Sequence, residues 1–226
     1  DLVLGPSHKH RWAYACSKAI DEFLALAYWK ERKLPVIIVR LFNTVGPRQV
    51  GRYGMVVPRF VAAAVRNEPI TVFGGGQQTR SFCDARDTVV ALDALAERAG
   101  RNTVVANVGN DREISILELA ELVIERSGSR STIQHATLRE AYGEDFEDIR
   151  RRRPSLARLR TLTGFEHKYA LERTIDDLVA ALAAAPAADL ALAGACAAQE
   201  PTAHAAFDAV LTEVDAAGAS TGAAGT

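Results

Sequence analysis

Tyr14 and Lys18 stand four residues apart in the stretch "HRWAYACSKAIDEFLALAYW", where apolar residues recur with a helical period. Residues with this spacing share one face of a helix, so the phenol and the ammonium can point into one site. A free tyrosine has a pKa of about 10, and a nearby ammonium favours the phenolate that a base requires. Such a phenolate can take a proton from a hydroxyl while a hydride leaves the same carbon. The spacing fits two ordinary helix residues equally well, so both interpretations stay open.

The elements that carry this pair predict an α/β fold. Helical periodicity runs from Arg11 to Lys33 and ends at Leu34-Pro35. The segment "VIIVRLF" follows at once, and such a β-branched apolar run is typical of a strand buried on both faces of a parallel sheet. The irregular loop "NTVGPRQVGRYG" comes next. Because open α/β sheets bind ligands at the carboxyl ends of their strands, this loop is the first place where we expect function.

Helices and strands continue along the chain. Strands are predicted in "PITVFGGG" and "TVVANVG", and helices in "MVVPRFVAAAVRNE", "DARDTVVALDALAERAG", "SILELAELVIERSG", "SLARLRTLTG" and "ALERTIDDLVAALAAA". In the third of these helices Ser115 is the expected N-cap, and Gly128 the expected stop. From about Pro186 the chain is rich in alanine, and we assign this tail no chemistry.

The composition excludes several functional classes. The 226 residues carry a net charge of −1, so no overall field favours a nucleic acid or an anionic membrane surface as a partner. No leader and no bilayer-length apolar run occurs in the sequence, and we expect a soluble protein without a membrane partner. Cys16, Cys83 and Cys196 lie far apart and match no C-x-x-C pattern. This spacing suggests neither a disulfide framework nor a metal site, and it fits a reducing, cytoplasmic setting.

Several blocks occur in a characteristic order after the Tyr14 helix. They are "VIIVRLFNTVGPR", "GRYGMVVPRF", "EPITVFGGGQQTRSF" and "VANVGNDREISILELAELV". From Asp1 to about Leu182 this succession resembles the second half of an extended short-chain dehydrogenase/reductase of the NAD-dependent nucleotide-sugar epimerase/dehydratase type. The resemblance implies part of a Rossmann-like parallel sheet with helices, plus a small α/β substrate-binding subdomain. Residues 183–226 would form an Ala-rich tail, either helical or disordered.

The resemblance also implies roles for individual residues. Tyr14 would be the acid/base, and Lys18 would hold the nicotinamide ribose of NAD and favour the tyrosine's phenolate form. Asn43 would contact the bound sugar nucleotide, although it could equally end its strand with a side-chain turn. The segment from Val57 to Arg59 would contact the diphosphate region.

Four more residues complete the implied substrate site. Thr71 and Phe73 would lie beside the base, with a plain core aromatic as the alternative for Phe73. Arg80 in "QTRSF" and Arg153 in "RRRRP" match phosphate-binding arginines of the family. A guanidinium offers a planar fork that suits phosphate oxygens. A solvated basic surface is the alternative for the run 150–153.

The sequence departs from the family pattern at several positions. In "RSFCDARD", Asp84 and Ala85 replace an aromatic and a β-branched residue, and Ser155 replaces an aspartate. We therefore expect local packing and the geometry of both arginines to be disturbed. No G-x-x-G-x-x-G turn occurs, the chain starts at Asp1, and the family's catalytic Ser or Thr upstream of Tyr14 is missing. These features predict either a piece of a longer protein or a truncated one that cannot bind NAD in the family manner.

The predicted parent activity is an NAD-dependent epimerase, dehydratase or decarboxylase that acts on a nucleotide sugar, in particular a UDP-sugar. The family also implies a homodimer packed through the Arg11–Lys33 helix. Two other classes stay open. A binding module would hold the nucleotide sugar without turnover, and a structural remnant would bind neither ligand but would associate through its bare sheet.

Overall fold

The computed structural model of the protein describes residues 5–6, 9, 11–47, 49, 55–99, 103–137 and 149–184. Most of the predicted Ala-rich tail, from residue 185 onward, lies outside these residues. Within the described part of the chain, we find no helix with the length and apolar character needed to cross a membrane.

The predicted helices and main strands are all present. The helices are α1 (Arg11–Arg32), α2 (Val56–Val65), α3 (Ala85–Ala99), α4 (Ile116–Ser127), α5 (Ala157–Thr163) and α6 (Leu171–Ala183). The strands are β1 (Ile37–Leu41), β2 (Thr44–Val45), β3 (Ile70–Phe73), β4 (Thr79–Arg80), β5 (Cys83–Asp84), β6 (Val104–Val108), β7 (Ile114–Ser115), β8 (Ile133–Ala136) and β9 (Arg151–Arg152).

The ends of α4 confirm the predicted cap and stop. The Ser115 hydroxyl accepts a hydrogen bond from the backbone N–H of Glu118 at 3.1 Å, and the Glu118 carboxylate accepts one from the Ser115 N–H at 2.8 Å. This reciprocal capping box satisfies two donors at the helix start. Gly128, with φ of 61°, ends the helix in the left-handed conformation that glycine adopts without steric cost.

The strands pair mostly in parallel. β1 pairs with β6 from Ile37 opposite Val104 to Leu41 opposite Val108, which is the parallel core of the predicted Rossmann-like part. β2 pairs with β5 and β3 with β8, again in parallel. A small sheet has the order β7-β4-β9, in which β4 runs antiparallel to β7 and parallel to β9. The predicted α/β fold class is confirmed.

Two hydrophobic clusters fill the space between these layers. The first lies among α2, β3, α4 and α6 and includes Val61, Val72, Leu119 and Ile175. The second covers the β1–β6 sheet with α3 and α5 and includes Leu95, Val108, Leu156, Leu159 and Phe165. Each cluster buries apolar side chains from several elements, and this burial is the main force that stabilises a fold of this kind.

A buried carboxylate joins the two clusters. Asp84, at the end of β5, is 3% exposed and accepts hydrogen bonds from the Arg86 backbone N–H and guanidinium, each at 2.8 Å. It also accepts one from the Thr174 hydroxyl on α6 at 2.7 Å. Burial alone would raise the pKa of Asp84, but the hydrogen bonds from Arg86 and Thr174 outweigh burial and hold that pKa below its ordinary value. Arg86 also pairs with Asp177 of α6 at 2.8 Å.

The next acidic residue reinforces this junction. Asp87 is 1% exposed and accepts hydrogen bonds from the backbone N–H groups of Lys168 and Tyr169, just before α6. The Arg86 guanidinium lies 3.7 Å from the centre of the Tyr169 ring. The Asp84 substitution, which we expected to disturb packing, is therefore accommodated by a complete set of polar partners.

α1 is attached differently. Ala19 is the residue of α1 that is buried among the described side chains. The Glu22 carboxylate accepts hydrogen bonds from Arg40 of β1, at 2.6 Å from Nε and 2.7 Å from Nη2. Large apolar side chains of the helix lie exposed, among them Ile20, Phe23, Leu24, Tyr28 and Trp29. An ion pair, rather than an apolar interface, thus carries the described contact between α1 and the sheet.

We expect Arg86→Met to lower the free energy of unfolding by about 2–3 kcal/mol, because it leaves the buried Asp84 carboxylate without its cation. Urea unfolding followed by circular dichroism measures this change. The matched control is Arg173→Met, which removes an ion pair between Asp177 and an arginine whose side chain is 67% exposed. That control should cost less than about 1 kcal/mol. An equal decrease in the free energy of unfolding for the two variants would show that the hydrogen bonds to Asp84 contribute no more stability than an exposed ion pair.

The difference between wild type and Arg86→Met should also depend on pH. The folded chain holds the pKa of Asp84 below the value of about 4 that an unfolded aspartate has. The stabilisation is therefore complete above that pH and is lost as the pH falls through the folded-state pKa. A difference that stays constant down to pH 2 would contradict this assignment.

Candidate active site

The α1 helix brings Tyr14 and Lys18 to one face, as their spacing predicts. The Lys18 Nζ lies 5.7 Å from the centre of the Tyr14 ring. Tyr14 is 72% exposed, so its phenol is accessible from outside the chain. Lys18 Nζ also donates a hydrogen bond to Asp21 at 3.0 Å, and this bond raises the pKa of Lys18 above its usual value. The ammonium is consequently charged, and it lies near the Tyr14 ring while it is hydrogen-bonded to Asp21.

The Glu22–Arg40 pair connects this face to the sheet. Glu22 follows Lys18 by four residues, as Lys18 follows Tyr14, so the three side chains lie along one stripe of α1. The hydrogen bond from Arg40 lowers the pKa of Glu22, so the carboxylate remains ionised. Arg40 is in β1, three residues before Asn43. The pair therefore holds the Tyr14–Lys18 helix next to the end of the strand that leads to Asn43.

Asn43 ties the end of β1 to the segment after β4. Its backbone has φ of 40°, a left-handed conformation that asparagine tolerates better than most residues. Its Nδ2 donates a hydrogen bond to the Ser81 carbonyl at 2.8 Å, and its own carbonyl accepts one from the Cys83 N–H at 3.1 Å. The Nδ2 hydrogen bond spans 38 residues and is therefore not a local side-chain turn, and the contact of Asn43 with substrate stays a prediction.

Arg59, Thr71 and Phe73 come together at one surface. Ile70 and Val72 of β3 are buried, whereas Thr71 and Phe73 alternate with them and are half-buried. The Arg59 guanidinium, on α2, lies 5.4 Å from the centre of the Phe73 ring. Phe73 is therefore not a fully enclosed core aromatic. Val57 differs, because its side chain is 1% exposed within the first hydrophobic cluster, which leaves its backbone as the part able to meet a ligand.

Of the two predicted phosphate arginines, Arg80 lies on β4 and Arg153 directly follows the neighbouring strand β9. Parallel pairing sets Arg80 of β4 opposite Arg152 of β9, one residue before Arg153. Arg80 Nη1 donates to the carbonyls of Thr79 and Ile149, at 2.8 and 2.7 Å. The Arg153 side chain is 45% exposed.

Glu113 is a charged residue of this site that the sequence did not reveal. It accepts two hydrogen bonds from Arg151, at 2.8 and 2.6 Å, and one from the Thr79 hydroxyl at 2.9 Å. Arg153 Nη1 lies further away, 3.9 Å from Glu113 Oε2. The hydrogen bonds from Arg151 and Thr79 lower the pKa of Glu113 to about 2. Within the run 150–153, Glu113 therefore binds Arg151, while all four arginines are exposed, so the solvated surface stays open as an alternative.

No local signal could have identified Glu113. The residue lies 38 positions before Arg151, and the pairing of β4 with both β7 and β9 brings the two together. A basic run of four arginines predicts an acidic partner only in general terms.

The residues suited to a dinucleotide cofactor are Tyr14 and Lys18, because an exposed hydroxyl and ammonium on one helix face match the hydroxyls of a ribose. The sequence offers no G-x-x-G-x-x-G turn for a pyrophosphate. Among the described residues no cluster of three or more His, Cys, Asp and Glu side chains could hold a metal ion. A cleft of about 310 Å³ beside α6, lined by residues such as Asn110, Arg112 and His167, contains none of the predicted site residues.

Comparisons with known proteins agree with this arrangement. Residues 1–109 match the sequence model of the NAD dependent epimerase/dehydratase family. The chain is 35% identical over 181 residues to a UDP-N-acetyl-alpha-D-glucosaminuronate decarboxylase of Bacillus cytotoxicus, covering 79% of the chain and 56% of that protein. It is 37% identical over 169 residues to UDP-glucuronic acid decarboxylase 4 of Arabidopsis thaliana, covering 75% of the chain and 36% of that protein.

A solved structure shows the same fold. The dTDP-glucose 4,6-dehydratase of Bacillus anthracis in complex with NAD superimposes with a TM-score of 0.65 at 27% identity, covering 75% of the chain and 51% of that protein. In each comparison the chain spans only part of its relative, at most 56% of the length. The family match, the decarboxylase relatives and the shared fold together show that the chain belongs to the NAD dependent epimerase/dehydratase family.

Proposed function

We propose that the protein acts in an NAD-dependent conversion of a UDP-sugar, as a decarboxylase of the UDP-glucuronate type or as a 4-epimerase. The observation that carries this proposal is the gathering of the predicted substrate residues on adjacent elements. Arg59 packs over Phe73 beside Thr71, and Arg80 lies on the strand next to the one that leads to Arg153. The decarboxylase relatives, at 35% and 37% identity, favour the first of the two reactions.

Tyr14 would act as the base. Its phenol is exposed, and the ammonium of Lys18 beside it favours the phenolate. Lys18, kept protonated by Asp21, would donate to a ribose hydroxyl of the cofactor. NAD, when bound, supplies the acceptor for the hydride that leaves the sugar carbon. A ketone formed at C4 of a glucuronate lies beta to the C6 carboxylate, so the bond between C5 and C6 can break with loss of carbon dioxide.

The nucleotide sugar would be bound by charged and aromatic side chains. Arg80 and Arg153 would meet the diphosphate, because a guanidinium binds phosphate oxygens with paired hydrogen bonds. Phe73 and Thr71 would lie beside the base, next to the Arg59 guanidinium. Asn43, fixed to Ser81 through its Nδ2, would present its remaining oxygen to the sugar nucleotide. Residues 1–182 would thus form the substrate-binding part of the enzyme, in a reducing, cytoplasmic setting that agrees with the free thiols of Cys16 and Cys83.

A binding module without turnover is the second candidate. The exposure of the Tyr14 phenol favours it, because general base catalysis gains from a site that excludes water.

We expect the chain to bind UDP and Arg153→Gln to weaken that binding about tenfold, because one guanidinium no longer meets the diphosphate. Isothermal titration calorimetry measures both dissociation constants. Tyr14→Phe is the matched control, since a base that acts on the sugar hydroxyl contributes nothing to binding UDP. Failure of the wild-type chain to bind UDP would refute the proposed substrate class.

We expect the 226 residues alone to show no NAD-dependent turnover of UDP-glucuronate. The sequence lacks the turn that would hold the cofactor pyrophosphate, and Tyr14 is 72% exposed. Chromatographic analysis of the products after incubation with NAD checks this expectation. The decarboxylase of Bacillus cytotoxicus, assayed with its own substrate, serves as the positive control. Measurable product from the chain alone would contradict it.

We also propose that two copies of the chain associate through α1. Phe23, Leu24 and Tyr28 are 72%, 55% and 57% exposed, which is unusual for large apolar side chains on one helix. Burial of these side chains against a second copy would remove them from water.

Phe23→Glu should therefore weaken self-association at least about tenfold, as measured by sedimentation velocity over a range of concentrations. Val89→Glu introduces the same charge at an apolar side chain of α3 that is 64% exposed, and it should leave association unchanged. A wild-type chain that remains monomeric at high concentration would refute the proposed association through α1.

A further inference from the structure

One carboxylate, that of Glu113, lies near two arginines at the predicted diphosphate site but hydrogen-bonds to one of them. Arg151 approaches Glu113 with Nε and Nη2, at 2.8 and 2.6 Å, in the two-pronged geometry that a guanidinium and a carboxylate favour. Arg153 Nη1 stays at 3.9 Å, outside hydrogen-bond range. The Thr79 hydroxyl takes a third position on the carboxylate at 2.9 Å. Glu113 is thus committed to Arg151 and Thr79.

The sheet explains why Arg151 has the shorter contact. Backbone pairing puts Arg151 of β9 opposite Thr79 of β4, and Thr79 in turn opposite Ser115 of β7. Glu113 precedes β7 directly, so it meets Arg151 and Thr79 across the same small sheet. The strand register therefore decides which arginine receives the carboxylate.

Arg80, the neighbouring arginine on β4, makes it more important that Glu113 binds Arg151 and not Arg153. Arg80 already donates from Nη1 to two backbone carbonyls. A diphosphate needs guanidinium donors that can turn toward it. If Glu113 captured Arg153 as well, the donors available to the diphosphate would decrease.

We propose that Arg151 is a positioning residue that occupies Glu113 and thereby leaves the Arg153 guanidinium available to the diphosphate of the substrate. The inference rests on the proposed function. Arg151 itself does not contact the ligand in this arrangement. Its loss would expose the Glu113 carboxylate, and Arg153, whose Nη1 lies 3.9 Å from Glu113 Oε2, could then replace it.

The test compares the affinity of the 226-residue chain for UDP and for inorganic pyrophosphate by calorimetry. Arg151→Met should lower the affinity for both ligands about tenfold, because the Arg153 guanidinium then binds Glu113. The double variant Arg151→Met with Glu113→Gln should recover to within about threefold of wild type, since no carboxylate remains to capture Arg153. Arg151→Lys keeps a cation for Glu113 and should stay within about threefold as well.

Arg112→Met is the matched control. Arg112 also forms a two-pronged ion pair with a glutamate, Glu172, at 3.0 and 2.6 Å, and its loss removes the same charge. This variant should bind both ligands as wild type does. Circular dichroism melts confirm that each variant is folded.

Two results would overturn the inference. Arg151→Met could bind like Arg112→Met, or the double variant could remain as weak as Arg151→Met. Pyrophosphate binding without UDP binding would refute the UDP-sugar proposal while the variants still test the role of Arg151. A wild-type chain that binds neither ligand would refute both.

Discussion

The buried Asp84 carboxylate is the constraint on which the arrangement of the two hydrophobic clusters depends. It lies between β5 and α3 and receives its hydrogen bonds from Arg86 on α3 and from Thr174 on α6. A charge that is 3% exposed can remain ionised only when such partners replace water. Because α6 belongs to the first cluster and α3 to the second, these hydrogen bonds determine how the clusters meet. The family's usual aromatic residue would join them by apolar packing, and here a polar network does so.

The Asp84 network is also connected to the predicted substrate residues Arg80 and Asn43, because the chain between Arg80 and Asp84 is short. Arg80 lies four residues before Asp84. In the short segment between them, the Ser81 carbonyl accepts a hydrogen bond from Asn43 Nδ2, and the Cys83 N–H donates one to the Asn43 carbonyl. A shift of Asp84 would therefore move Arg80 and the end of β1 together. Rigid support of this kind is what a binding site for a charged ligand needs, because guanidinium groups recognise phosphate through direction as well as charge.

The sequence predicted the elements whose information is local. All the predicted helices follow from apolar spacing, and the shared face of Tyr14 and Lys18 follows from a spacing of four. It did not predict the two-residue strands β2, β4, β5, β7 and β9, because pairing with distant segments defines them. For the same reason it missed Glu113, which lies 38 residues from Arg151, and the partner of Asp84, which lies 90 residues away at Thr174. Arg86, two residues from Asp84, is a local partner, but Thr174 is not, so the sequence alone did not show that the buried carboxylate has a full set of hydrogen bonds.

The two halves of the candidate site differ in how they are held. Of the predicted substrate residues, Val57 and Arg59 lie on α2 and Thr71 and Phe73 on β3, and both elements contribute large apolar side chains to the first cluster. The helix that carries Tyr14 and Lys18 contributes Ala19 to the buried residues and is linked to β1 by the Glu22–Arg40 pair. A half-exposed ion pair contributes far less stability than an apolar interface, because solvent screens it. The exposed apolar side chains of α1 therefore leave most of its potential stabilisation unused in the isolated chain. Burial of that surface by a further protein segment would fix the orientation of the phenol and the ammonium, and with it the geometry on which base catalysis depends.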